Sequence, residues 1–192
     1  MNFDQCADMS GERISLRQTP AELDSKTRQS PFSATPRCIM RMARKVQSSL
    51  NRAHCEYDIV AHRHSSSSLE TARVAGVPAE RVAKSIILDD HHGHYLMAVL
   101  PASRHLDLSK VRTSGEWQLT RESNLAHIFD DCERGAVPPL GDSYGLDMVI
   151  DPLLTRQKDI YLEAGNHNYL LHMSMPEFLK MVPHAEVREL SD

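Results

Sequence analysis

From about residue 39 the polar and apolar positions fall into short, recognisable patterns. Ile39, Met42, Val46 and Leu50 recur at three- and four-residue spacing among Arg41, Arg44, Lys45 and Gln47, which predicts an amphipathic helix. The stretch YDIVAHRH (57–64) reads as a short strand. Ser65 to Ser68 then offer N-cap side chains to the helix LETARVAG, which Gly76 ends, and Pro78 can open the next turn. VAKSIILDD and HYLMAVLPA flank the polar run DDHHGH and predict a β-hairpin. Thr120 opens another amphipathic helix, LTRESNLAHIF, ahead of the loop ERGAVPPLGDSYG. LDMVID and DIYLEAG are strand patterns joined through PLLTRQK, MPEFLKMV is a closing helix, and AEVREL a last short strand. Strands and helices alternate without a regular βαβ repeat. That favours α+β or a mixed sheet over a doubly wound nucleotide fold.

Residues 1–37 differ from the rest. Small polar residues, charges and proline dominate there, and its five acidic and five basic residues cancel. Such a segment buries too little surface to offset its ordering entropy, so a flexible N-terminal tail is expected at 1–37 and one domain at 38–192. The domain then carries the whole net charge of −4. That balance excludes a general coat for nucleic acid, which needs a concentrated excess of Lys and Arg. With 5% aromatics, reading single strands by stacking many bases is excluded too. No apolar run is long enough to span a membrane, and the acidic first residues do not resemble a secretion signal. Cys6, Cys38, Cys55 and Cys132 lie far apart with no C-x-x-C pair, as expected of free thiols in a cytoplasmic setting.

The usual phosphate-loop, dinucleotide, nucleophile-elbow and zinc-protease motifs are missing. His62 and His64 would share a strand face, and His91, His92 and His94 cluster in the hairpin turn, but no cysteine or carboxylate set completes a zinc geometry. Neither a metal nor a cofactor is expected. Lys84 interrupts the row Val82, Ile86, Leu88, either as an edge-strand lysine or as a cation at a pocket mouth. The loop from Gly135 to Gly141 brackets Pro138 and Pro139 with glycines. It is either a tight surface connection or a stiff loop whose N–H groups hold a carbonyl oxygen. His167, near Gly165, is either structural or close to a ligand.

Taken in order, four segments resemble the YbaK family, free-standing relatives of the editing domain inserted in bacterial prolyl-tRNA synthetases. They are ETARVAGVPAERVAKSIIL, YLMAVLPASRHLDLSKV, FDDCERGAVPPLG and IYLEAGNHNYLLHM, spread over about Met40 to Leu190. The resemblance implies an α+β fold with a mixed, barrel-like β-sheet flanked by helices. It also implies a pocket for the 3′ end of an aminoacyl-tRNA, and hydrolysis of the ester to a wrong amino acid. Lys84 matches the family's lysine, which would hold the terminal adenosine and its phosphates. Gly135 to Pro139 matches the loop around the aminoacyl carbonyl, and His167 resembles a histidine that some members of the wider superfamily carry near the amino acid, so Gly135 and His167 join Lys84 as catalytic candidates. Ser85, Ala136, Val137, Pro138, Pro139 and Gly165 are the substrate-binding candidates. Several relatives have asparagine where this chain has Ser85. A pocket rimmed by Val137 and Leu140 suits a small side chain such as alanine, cysteine or serine. The competing reading is a binding module on the same fold, without catalysis. The acidic balance points to recruitment by a partner such as an aminoacyl-tRNA synthetase, and no DNA or membrane partner is expected.

Overall fold

The computed structural model describes residues 42–111 and 116–192; the tail expected at 1–37 lies outside them. Two sheets enclose the main core. One is antiparallel, with β1 (Asp58–Ala61), β7 (Tyr169–Ser174) and β6 (Asp159–Glu163) in the order β1-β7-β6. The other is mixed, in the order β4-β2-β3-β5-β8: β4 (Gln118–Leu119), β2 (Ala83–Asp89), β3 (Tyr95–Pro101), β5 (Asp147–Ile150) and β8 (Glu186–Val187). The hairpin of β2 and β3 is antiparallel as the alternation predicts, with His91 and Gly93 taking positive φ in its exposed turn. β5 and β8 add in parallel beyond β3.

The barrel-like closure expected from the resemblance is not found. The sheets touch at one isolated parallel bridge, Val82 to Tyr161, and the outer strands β4 and β8 have two residues each. Closing a barrel needs a continuous ladder between its edges, and one bridge does not supply it.

Helix α1 (Arg44–Ala53) buries Val46, Ser49 and Leu50 against the core. It starts later than the spacing from Ile39 suggests, because the Ala43 N–H is drawn sideways to the Ala164 carbonyl at 2.9 Å. Helix α2 (Ser68–Ala75) begins as the sequence predicts: the Ser67 hydroxyl accepts from the Glu70 N–H, and Gly76 closes it at φ 65°. The helix expected over LTRESNLAHIF shrinks to one turn, α3 (Glu122–Leu125). The chain then turns so that Phe129 enters the core, while Lys45 Nζ binds the Ile128 carbonyl. A second short turn, α4 (Gly141–Tyr144), follows the proline loop. Asp151 caps α5 (Pro152–Thr155), and its second oxygen accepts the N–H groups of Leu190 and Ser191, fastening the C-terminus. Helix α6 (Met175–Met181) closes the core through Met175, Phe178 and Met181.

Strand β7 is the element the pattern misses. Leu171 and Met173 face the main core while Leu170 packs on α2's side of the sheet, so the strand opens on the apolar run Tyr169-Leu170-Leu171 and only His172 and Ser174 mark a polar face.

Candidate functional site

The site is set by how the two sheets part. Val82 and Tyr161 sit side by side in a parallel bridge and share one apolar cluster. Two residues further along each strand come Lys84 on β2 and Glu163 on β6. Since side chains repeat every two residues, both return to the face that Val82 and Tyr161 occupy. Pairing does not continue past the bridge. Lys84 and Glu163 therefore lie on the same face of two strand edges that no ladder joins, the split between the sheets.

Lys84 is half-buried and donates to the Arg104 carbonyl just beyond β3. Burial lowers its pKa from the ordinary lysine value, and among the described residues no carboxylate pairs with it. Its charge is thus available to an anion. Ser85 points to the opposite face, with Ala83 and Ile87 on the core side, and its buried Oγ has no hydrogen-bond partner. The structure separates Lys84 from Ser85, which the sequence placed together.

Glu163 is the residue that sequence reasoning missed. It is 6% exposed, and Oε1 accepts from the Thr71 hydroxyl at 3.3 Å. Oε2 is buried with no hydrogen-bond partner. Thr71 Oγ1 also lies 2.7 Å from the Ser65 hydroxyl and 3.0 Å from the Ser67 carbonyl, the alternative acceptor for its single proton, so a small polar network links α2 to β6. Burial pushes the Glu163 carboxyl up to about 7, opposed by the nearby His167 and by the Thr71 hydrogen bond. The available signal was a carboxylate inside the apolar run DIYLEA.

Beyond β6 the chain doubles back through Gly165 at φ 95°. Two loops are tied here. The Glu133 N–H donates to the Gly165 carbonyl at 2.9 Å, and the His167 N–H donates to Glu133 Oε2 at 3.1 Å. His167 Nε2 lies 2.6 Å from the Arg134 carbonyl; a carbonyl only accepts, so Nε2 carries the proton. Gly135, at φ 84°, lies against that ring: a Cβ there would stand 3.5 Å from His167 Cε1. Gly135, Gly165 and His167 are thus brought together, with His167 fastening the Gly135 loop. In that loop Ala136 is buried and its N–H is tied to the Glu133 carbonyl. The N–H groups of Gly135 and Val137 have no acceptor among the described residues. Pro138 and Pro139 are buried and stiffen the loop, and Val137 packs on the main core.

His62 and His64 do not share a strand face, because β1 ends at Ala61. His64 instead packs on the His167 ring with centroids 4.9 Å apart, and burial lowers the His62 pKa. Among the described residues no group of three or more His, Cys, Asp or Glu is arranged to hold a metal ion. Burial pushes the thiols of Cys55 up to about 11 and Cys132 up to about 12, so neither is a ready nucleophile at neutral pH. A surface cavity of about 300 Å³ lies along α1, lined by Arg44, Ser48, Arg52 and Asp130 among others; it includes none of the residues singled out above.

One backbone feature holds this arrangement. A Cβ on Gly165 would fall 2.5 Å from the Ala43 Cβ and 3.2 Å from its nitrogen, at a φ that side chains rarely adopt. Gly165→Ala is therefore expected to cost about 3 kcal/mol or more. Urea denaturation checks this; a cost below about 1 kcal/mol would mean that the α1 entry adjusts freely.

The family model for the aminoacyl-tRNA editing domain matches residues 62–181, more than half of the chain and a span that includes every candidate residue above. The chain belongs to that family. Among solved structures, this editing domain is similar to a candidate trans-editing enzyme for prolyl-tRNA synthetase. They share 22% identity and a TM-score of 0.67 over 78% of this chain and 96% of that one. It is also similar to the hypothetical protein APE2540, with 21% identity and a TM-score of 0.68 over 77% of this chain and 99% of that one. At these identities the likeness is one of fold. No curated protein matches the editing domain by sequence. Among its described residues no helix is long and apolar enough to cross a membrane.

Proposed function

We infer that this editing domain acts in trans as an aminoacyl-tRNA deacylase, hydrolysing the ester of a small amino acid mischarged onto tRNA. The observation that carries the reading is the split between the sheets. It sets a lysine with no anionic partner among the described residues across from a buried carboxylate, beside a stiff loop with two N–H groups that find no acceptor among those residues. Lys84 holds the terminal adenosine and its phosphate, and the 3′ end lies between β2 and β6. The N–H groups of Gly135 and Val137 polarise the aminoacyl carbonyl, and His167 keeps their loop in place through the Arg134 carbonyl. Ala136, Pro138, Pro139 and Gly165 give the loop its shape, while Ser85 and Val137 bear on side-chain size from the core side.

An aminoacyl ester is already activated, so positioned water is sufficient. The water oxygen, oriented beside the substrate's free ribose hydroxyl, bonds to the carbonyl carbon, and the carbon–oxygen bond to the ribose breaks. The ribose oxygen takes one proton, a second goes to solvent, and the amino acid leaves as carboxylate. An oxyanion donor of this kind contributes about 2.7–4 kcal/mol to the barrier, enough for positioning and electrostatics to drive the step.

A panel of mischarged tRNAs, assayed with and without chelator, tests the reading. Hydrolysis of a small aminoacyl ester, unchanged by chelator, is expected. No hydrolysis across the panel, with binding retained, would instead support a binding module. Chelator-sensitive hydrolysis would point to a metal-dependent enzyme.

A further inference from the structure

Glu163 is one interaction short. Its strand places it on the edge of the split opposite Lys84, and Thr71 occupies Oε1 only. Oε2 is shielded from water and bonded to nothing among the described residues. No Lys or Arg forms an ion pair with it among those residues, and the nearby His167 only partly opposes the effect of burial. Buried polar atoms are normally satisfied, and a buried carboxylate is normally paired. A buried acid with a free oxygen beside a proposed substrate cleft is a cation site one ligand short.

The chemistry of the substrate proposed above supplies that cation. An aminoacyl ester carries a free α-amino group on the carbon next to the scissile carbonyl, and in its protonated form that group is an ammonium donor. With the phosphate end on Lys84 and the carbonyl on the Gly135 loop, the ammonium lies on the Glu163 side of the split. We propose that Glu163 Oε2 is the seat of the substrate's free α-ammonium group, so that the domain selects aminoacyl esters over N-blocked ones. Thr71, placed by its contact with the Ser65 hydroxyl, gives its single proton to Oε1 and so orients the carboxylate. The selection has a physical purpose. Peptidyl and formylated tRNAs carry the same ester, but their α-nitrogen is an amide that bears no charge and would leave Glu163 buried and unpaired.

This inference rests on the deacylase reading, and two measurements separate their fates. The first compares hydrolysis of alanyl-tRNA and N-acetyl-alanyl-tRNA by the wild type, Glu163→Gln and Glu163→Asp. The second measures binding of a non-hydrolysable amide, 3′-alanylamino-adenosine, with its amine free or acetylated. The wild type should favour the free amine in both by about 10- to 100-fold. Glu163→Gln should lose that factor on the free amine while handling the acetylated form within about threefold of wild type, and Glu163→Asp should recover part of it. A preference unchanged in Glu163→Gln, or a parallel loss on both substrates, overturns the assignment. Amine-dependent binding without hydrolysis keeps the Glu163 site and discards the deacylase reading.

Discussion

Replacing Lys84 by alanine is expected to reduce deacylation by about 100-fold or more while leaving the fold intact. Its ammonium lies on the β2 edge of the split, half-buried, with the Arg104 carbonyl as partner and no carboxylate among the described residues. Removing it takes away the one positive charge that β2 brings to the split and exposes no apolar core. The loss should fall on aminoacyl-tRNA hydrolysis, read by release of labelled amino acid, with the melting temperature within a few degrees of wild type. Full activity in Lys84→Ala would remove Lys84 from the site and with it the proposed orientation of the 3′ end. A collapse of the melting temperature would recast Lys84 as a structural lysine that caps the end of β3.

A second large effect is expected on stability and its pH dependence. With its carboxyl raised to about 7 from an unfolded value near 4.5, Glu163 keeps a proton in the folded state that the unfolded chain has released. Its contribution is therefore fully present below about pH 4.5 and is lost as pH rises through about 7. The shift corresponds to about 3 kcal/mol of stability lost across that window. Glu163→Gln cannot ionise and should escape the loss. Allowing about 1 kcal/mol for an imperfectly bonded amide, the variant should be about 2 kcal/mol more stable than wild type at pH 8. At pH 4 it should be equal or slightly less stable. Urea denaturation of both proteins at the two pH values measures this; parallel curves would show that Glu163 is no more acidic unfolded than folded. A gain in stability together with the loss of amine selection would mark Glu163 as a residue kept for function against its cost to the fold.

The elements were legible where turn, cap or stop signals bound them. The Lys84 strand and its hairpin, the capped helix after Ser67, the Gly76 stop and the closing helix through Phe178 follow from spacing and end signals. Strand β7 was not legible because it opens on the apolar run Tyr169-Leu170-Leu171 straight after a loop, and the turn after Leu125 was not, because Phe129 is drawn into a core built from distant segments. Of the site, Lys84, the Gly135 loop and His167 stood out as exceptions within otherwise plain patterns. Ser85 was grouped with Lys84 because several relatives carry asparagine after the lysine, yet in a strand neighbours point to opposite faces.

The sequence by itself determined the kinds of element, most of their limits, the α+β class and the family, since these rest on local periodicity, capping and ordered motifs. Only the tertiary structure decided that the sheets stay open, meeting at Val82 and Tyr161 and parting before Lys84 and Glu163. It also decided that His167 fastens the Gly135 loop and that one oxygen of Glu163 is left over. Register between strands 79 residues apart, and the solvation of a single buried atom, depend on contacts that no local pattern encodes.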